Sequence, residues 1–466
     1  MTVSQTLARF VARTSFESIG DANVAAAKVA ISDTIGCIIA GAATDAGTIV
    51  RRVAEASSPD GAATVIGGLR ALSAQAAALA NGTAAHALDY DDILWTEQGH
   101  PSAAMLPSSL AVAETLGASG RDLLTAYAIG VEVAGKLGRA VNPAHYESGW
   151  HATASVGVIG AAAAAARLMH LTEHQTAMAL GIAASHACGV RRNFGTMTKP
   201  FHAGNAARGG VMAAELAREG FTADLTAFEG VFGWAVTMHG RTIPQAEVLE
   251  AALGKVWELS EPGIVLKRYP ACGGTHCALD AILAIRDEQN LKADEFEKIV
   301  CDASPLAKMV LLYSRPKTGL EGKFSMEFNL AIAALEGEAG LRHFTDAWVA
   351  DPRVQDMLHR ITFETRSDMA PECLSDAVPA EVTVHARGKI FARRVDVPRG
   401  DARNPMSSQE RRTKFLGCAE GLLADDAAGA LFHDLERLDS LKIADLTALL
   451  RPLAATRAHA DASQPQ

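Results

Sequence analysis

From its first residues to about position 260 this chain reads as one helix after another, and the residue that fills those helices is alanine. Asp21-Ala-Asn-Val-Ala-Ala-Ala-Lys-Val-Ala-Ile-Ser-Asp-Thr-Ile carries apolar side chains at the spacing of a buried helix face. Thr172, followed three residues later by Gln175, forms a capping box that predicts a helix running to Ala184. Further helices are expected at 71–88, 102–116, 121–140, 152–169 and 205–219, several ending at glycine. Aromatic residues make up only 5% of the sequence while apolar residues reach 49%. That mix suits closely packed helices better than a β-sandwich.

The texture changes after Gly263. Glu297-Lys-Ile-Val-Cys-Asp-Ala and Arg360-Ile-Thr-Phe-Glu-Thr alternate as strands do. Glu381-Val-Thr-Val-His-Ala, Arg387-Gly388 and Lys389-Ile-Phe-Ala-Arg-Arg-Val-Asp-Val form a hairpin with glycine at the turn. Helices at 275–290 and 323–335 sit among these strands. A second capping box, Ser407 with Glu410, returns the chain to helix. The segment Ala455–Gln466 is polar and expected to fray. At 466 residues two domains are the default. The simplest division is a helical domain, 1–266 with 400–466, and an α+β domain, 267–399.

A formal charge of −10 argues against nucleic acid, which would be met by a basic stripe. Seven cysteines without framework spacing fit a reducing cytosol. The N-terminus lacks the apolar core of a signal peptide, and the longest weakly apolar run, between His151 and Arg167, is too short to span a bilayer. A soluble, cytoplasmic protein with no membrane partner is expected.

Four patches place titratable residues in Gly/Pro-rich segments, where acids and bases are available for proton transfer. The first runs from His86-Ala-Leu-Asp89-Tyr-Asp91-Asp92 to His100-Pro101-Ser102. Its aspartates either cap helix ends or crowd one another, in which case one is kept protonated. The second is Gly149-Trp150-His151, where a helix N-terminus favours a neutral imidazole. The third is Thr198-Lys199-Pro200-Phe201-His202, with Arg191 and Arg192 upstream. It is either a solvated basic loop or a set that suits a carboxylate-rich substrate. The fourth is Lys267-Arg268-Tyr269-Pro270-Ala271-Cys272-Gly273-Gly274-Thr275-His276. Cys272 there is either a buried inert thiol or, near a helix N-terminus and Lys267 or His276, a thiolate.

Several motifs fail. His170-Leu-Thr-Glu173-His174 matches a metal pattern that needs both histidines on one helix, but Thr172 caps a new helix inside it. Gly157-Val-Ile-Gly160 lacks the preceding strand and the third glycine of a dinucleotide loop. No metal site and no cofactor is expected.

The chain resembles the MmgE/PrpD family, most specifically through Asn81-Gly-Thr-Ala-Ala-His-Ala-Leu-Asp-Tyr-Asp-Asp with His100-Pro-Ser-Ala, Phe194-Gly-Thr-Met-Thr-Lys-Pro-Phe-His-Ala-Gly, and Lys267-Arg-Tyr-Pro-Ala-Cys-Gly-Gly-Thr-His. The resemblance runs to about Leu450. It implies a mainly α fold: a large all-helical domain plus a smaller α+β lid domain, with the active site between them. It also implies a homodimer and cofactor-free chemistry on small polycarboxylates. The family's activities include 2-methylcitrate dehydratase, cis-aconitate decarboxylase and iminodisuccinate epimerase. Carried over position by position, the decarboxylase-like pocket puts Asp89, His100, His151, Lys199 and Lys267 around the substrate. Arg191, His202 and His276 join Lys267 as expected substrate contacts. Two positions depart from the decarboxylase pattern: Ile93 stands where it has threonine, and Cys272 where it has histidine.

Both departures remove polar groups that decarboxylation would use. Epimerisation instead needs two groups on opposite faces of one carbon, one to take the α-proton and one to return it. Cys272 opposite Lys199 or His100 would supply the pair, and nearby cations would stabilise the enediolate. The expected activity is therefore epimerisation of iminodisuccinate. The alternative is dehydration of a hydroxy-tricarboxylate such as 2-methylcitrate, with His100 and Asp89 as base and acid.

Overall fold

A computed structural model describes residues 1–240, 246–369 and 377–450. The chain is mainly helical, with one four-stranded sheet among the described residues. The residues expected to fray, Ala455–Gln466, lie outside them.

Alanine sets how closely the helices approach, and glycine sets where they cross. Ala74–His86 packs on Thr198–Arg218, which also packs on Gly157–Leu168. At the first crossing a Cβ on Gly82 would lie 2.8 Å from the Gly204 Cα. A Cβ on Gly204 would collide with the Leu79 carbonyl and the Thr83 hydroxyl. The helices Gly120–Val141 and Gly157–Leu168 meet in the same way, Gly130 against the carbonyl of Gly160. Overpacking of this kind costs about 1–3 kcal/mol. Gly204→Ala is expected to lower the unfolding free energy by that amount in a urea titration, because no side chain can yield where the obstacle is backbone.

Asp21–Gly41 is the one helix among the described residues long and apolar enough to cross a membrane. It exceeds the run between His151 and Arg167 that sequence reading ranked longest. Ile31, Ile35, Ile38 and Ile39 along it are fully buried. The returning helix Ser408–Ala419 packs on it, opened by the expected Ser407/Glu410 capping box.

One hydrophobic cluster gathers buried residues from Val3 to Leu259 and again from Phe415 to Leu450. A second draws on Tyr269 to Ala386. The second surrounds the sheet, whose order is Ile361–Thr365, Phe296–Ala303, Ala380–Ala386, Lys389–Val395. The first pair is parallel and the others antiparallel. Arg387 and Gly388 both take positive φ, 54° and 64°, the geometry of a two-residue turn between twisted strands. Met326–Glu336 and the sheet cover the helix His276–Glu288.

Sequence reading placed one segment wrongly. Thr198-Lys199-Pro200-Phe201-His202 is the first turns of the helix Thr198–Arg218, not a loop before a helix at 205. Pro200 is tolerated there because the first amides of a helix have no intrahelical acceptor. The Thr172/Gln175 capping box forms as expected, leaving His170 and His174 on different elements.

Candidate active site

The glycine crossing of Ala74–His86 with Thr198–Arg218 brings the last residue of one helix to the second residue of the other. Lys199 Nζ lies 2.6 Å from His86 Nε2 and 2.8 Å from Asp89 Oδ1. On its other ring nitrogen, His86 Nδ1 lies 2.9 Å from the Asp91 carboxylate. The lysine donates to Nε2, so Nδ1 carries the proton and donates to Asp91.

Asp89 sits in a left-handed conformation, φ 51°, which aspartate tolerates better than most residues. That turn aims its carboxylate inward. Oδ1 receives Lys199 and also Lys267, at 2.9 Å, and Lys267 donates again to the Asp89 carbonyl at 3.0 Å. Burial opposes ionisation of Asp89, but Lys199 and Lys267, with His100 and His86, outweigh it and hold the carboxyl well below its usual range. Asp91 is likewise held low against burial by His86 and His100. Asp92 turns away, accepting from the amide and hydroxyl of Ser102. Burial, beside Asp91 and Asp33, raises its carboxyl to about 8. The three crowded aspartates thus split, and Asp92 is the one that stays protonated.

Four imidazoles line up across this centre. His100 and His86 ring centroids are 4.4 Å apart, His86 and His151 5.6 Å, and His151 and His202 5.3 Å. Burial first, and nearby cations second, push all four below the ordinary histidine value, His100 to about 3 and His202 to about 4. His151 is neutral as expected, but burial rather than a helix dipole is the leading cause. His100 faces two carboxylates, with Nδ1 3.3 Å from Asp91 and Nε2 3.9 Å from Asp89.

His100 and Cys272 line one cavity of about 320 Å³, reached from both clusters of the fold. Burial raises the Cys272 thiol, and the Asp89 charge adds to this more than Lys267 offsets it. Cys272 is therefore a protonated thiol at neutral pH, which decides between the thiol and thiolate alternatives. Site-resolved alkylation by iodoacetamide is expected to be slow at pH 7 and to accelerate only above the ordinary thiol range of about 8.5.

The remaining expected contacts lie elsewhere. Arg191 stacks on the Tyr146 ring at 3.8 Å and donates to the carbonyls of Tyr146 and Met309, so it ties two segments of the cavity wall together. His276 points Nε2 at the Ala271 carbonyl, 3.3 Å away, behind the Cys272 turn. His202 Nδ1 meets His151 Nδ1 at 3.1 Å.

Sequence reasoning placed His86 and Asp91 in the first patch without a site role of their own, and it did not single out Lys323. Lys323 is buried and donates to the Leu88 carbonyl at 2.8 Å and the Pro270 carbonyl at 2.7 Å, pinning the Asp89 loop to the Cys272 loop. Burial lowers its ammonium to about 7. Lys414, on the returning helix, donates to the Tyr90 carbonyl at 2.8 Å while paired with Asp33 at 2.7 Å. His86, Asp89, Asp91 and His100 could offer four ligand atoms within 4.8 Å of one another to a metal ion. The ammonium groups of Lys199 and Lys267 on Asp89 already bring positive charge to that position and would repel a divalent cation.

The MmgE/PrpD N-terminal domain model matches residues 5–246 and the MmgE/PrpD C-terminal domain model residues 269–435. The chain belongs to the MmgE/PrpD family. Cis-aconitate decarboxylase of Mus musculus is 30% identical over 400 residues, covering 83% of this chain and 80% of its own length. The Homo sapiens cis-aconitate decarboxylase is 30% identical over 436 residues, 90% of this chain and 89% of its own. That of Aspergillus terreus is 28% identical over 452 residues, 92% and 91%. These MmgE/PrpD relatives are enzymes, and they align across the segments that carry both halves of the cavity.

Proposed function

We propose that this MmgE/PrpD protein catalyses cofactor-independent proton transfer at a carbon beside a carboxylate of a small polycarboxylate, with epimerisation as the net reaction. The observation that carries the reading is the pairing of a neutral imidazole, His100, with a protonated thiol, Cys272, on the walls of one cavity. One is ready to accept a proton and the other to give one. Lys199 and Lys267, paired with the Asp89 carboxylate 3.9 Å from His100, are proposed to supply charge for the enediolate. His100 removes the α-hydrogen, the electron pair moves into the carboxylate, and the Cys272 thiol protonates the carbon from the other side. Turnover leaves imidazolium and thiolate, which proton exchange with solvent resets. An anionic substrate raises the basicity of His100 as it binds, because it offsets the ammonium groups that depress it.

A lyase is the second reading, favoured by the decarboxylase relatives and by the shared set Asp89, His100, His151, Lys199 and Lys267. In that case the Cys272 thiol protonates the carbanion left by carbon dioxide, or His100 and Asp89 eliminate water from a hydroxy-acid.

Proton NMR in D2O separates these readings, with iminodisuccinate stereoisomers, 2-methylcitrate and cis-aconitate offered singly. The expected result is deuterium at the α-carbon of iminodisuccinate with isomer interconversion and no loss of water or carbon dioxide. An alkene from 2-methylcitrate, or carbon dioxide from cis-aconitate, with iminodisuccinate inert would replace the epimerase reading by the lyase.

A further inference from the structure

Past His100 and Cys272, the wall of the shared cavity changes character. It is formed by Ile93, Trp95, Tyr146, Leu306, Met309 and Val310. Among the described residues lining it no lysine or arginine occurs and Glu147 is the one charged group, while the Arg191 guanidinium lies behind Tyr146 and Met309, its donors turned to their carbonyls. Lys199 and Lys267 lie outside this lining, on the carboxylate of Asp89, which stands 3.9 Å from His100. This wall offers a mainly apolar surface, with the exposed Glu147 at its edge.

Ile93 is built into this wall. Its amide and carbonyl both pair with Val265 at 2.9 Å, which fixes its backbone to the segment that leads into Lys267. A Cβ on Gly273, next to Cys272, would lie 2.5 Å from the Ile93 Cδ1, so the glycine makes the space that the isoleucine fills. Trp95 Nε1 and Gln98 Oε1 are buried and lack partners, one donor and one acceptor along an otherwise apolar face.

Resting on the proton-transfer reading above, we infer that the substrate is a dicarboxylate whose reacting carbon bears an uncharged, mainly apolar alkyl or aryl substituent, seated against Ile93, Trp95 and Leu306. Iminodisuccinate serves as a probe of the proton transfer, but its substituent carries two more carboxylates, so it is expected to bind more weakly against this apolar wall than an alkyl- or aryl-substituted succinate.

Isothermal titration calorimetry of the full-length enzyme with succinate, methylsuccinate, propylsuccinate and benzylsuccinate tests it. Affinity is expected to rise about fourfold per buried methylene. Benzylsuccinate is expected to bind more than tenfold tighter than succinate. Leu306→Ser and Ile93→Thr should erase most of that gain while leaving the Kd for succinate within about twofold, which separates seating in the cavity from nonspecific adsorption. Equal binding of succinate and benzylsuccinate, or tighter binding of iminodisuccinate than of benzylsuccinate, would overturn the inference and leave the proton-transfer reading standing. No binding of any dicarboxylate would overturn that reading and the inference with it.

Discussion

His100→Gln is expected to lower turnover by about 10²–10⁴-fold, the usual worth of a positioned general base. The imidazole is oriented by Asp91, 3.3 Å from Nδ1, and its backbone amide donates to the Thr153 hydroxyl at 3.0 Å. Glutamine keeps the length and polarity of the side chain but cannot take the proton. Circular dichroism should be unchanged while α-deuteration in D2O collapses. The pH profile gives a second readout. Burial lowers His100 to about 3, so the base is already neutral throughout the ordinary histidine range. The kcat/KM profile, which reports the free enzyme, should therefore show no inflection near about 6.5. Activity should fall only on stronger acidification, as His100 takes up a proton.

Asp89→Asn is expected to remove about 3–5 kcal/mol of stability, the cost of breaking a buried ion pair and leaving its partner uncompensated. Asparagine is close to isosteric, so the loss measures charge rather than volume. Asp89 is 4% exposed, and its carboxylate is the shared anion of two buried lysines. The pH dependence has a definite sign. A carboxyl held well below its unfolded value contributes stability that is present above about pH 4 and lost as the pH falls toward the folded value. The parent protein should lose stability in acid over that window, as followed by denaturant titration, and the variant should lack this contribution. Equal stability of the two proteins at pH 7 would show that Lys199 and Lys267 find other compensation.

Much of this arrangement was legible in the residues. Period and capping chemistry located the long helices and the hairpin because those signals are local. The Asp89–His100 loop, His151 and Cys272 were found because titratable groups stand beside glycine, proline or tryptophan in otherwise plain helices. Lys199 was found, but in the wrong element, because Pro200 reads as a breaker unless the helix is known to begin just before it. Lys323 left no comparable mark, and His86, though it opens the first patch, drew no role of its own. Each lies at the edge of an apolar helical stretch and gains its role from a partner more than a hundred positions away: Lys199 for His86, Leu88 for Lys323. Charge balance was legible only in part. Crowding predicts that one aspartate keeps its proton, but which one depends on Asp89 facing two lysines and Asp91 two imidazoles while Asp92 faces Ser102.

The buttress that Lys414 provides for the Tyr90 carbonyl has a consequence for synthesis. A ribosome that has just passed Cys272 has already made every side chain proposed to carry the proton transfer. It has made neither the lysine that staples the two loops, Lys323, nor the one that braces the aspartate turn from behind. The nascent chain therefore carries the chemical groups well before it carries their geometry. A product truncated before Lys323 would carry the reacting groups without either lysine that holds their loops in place.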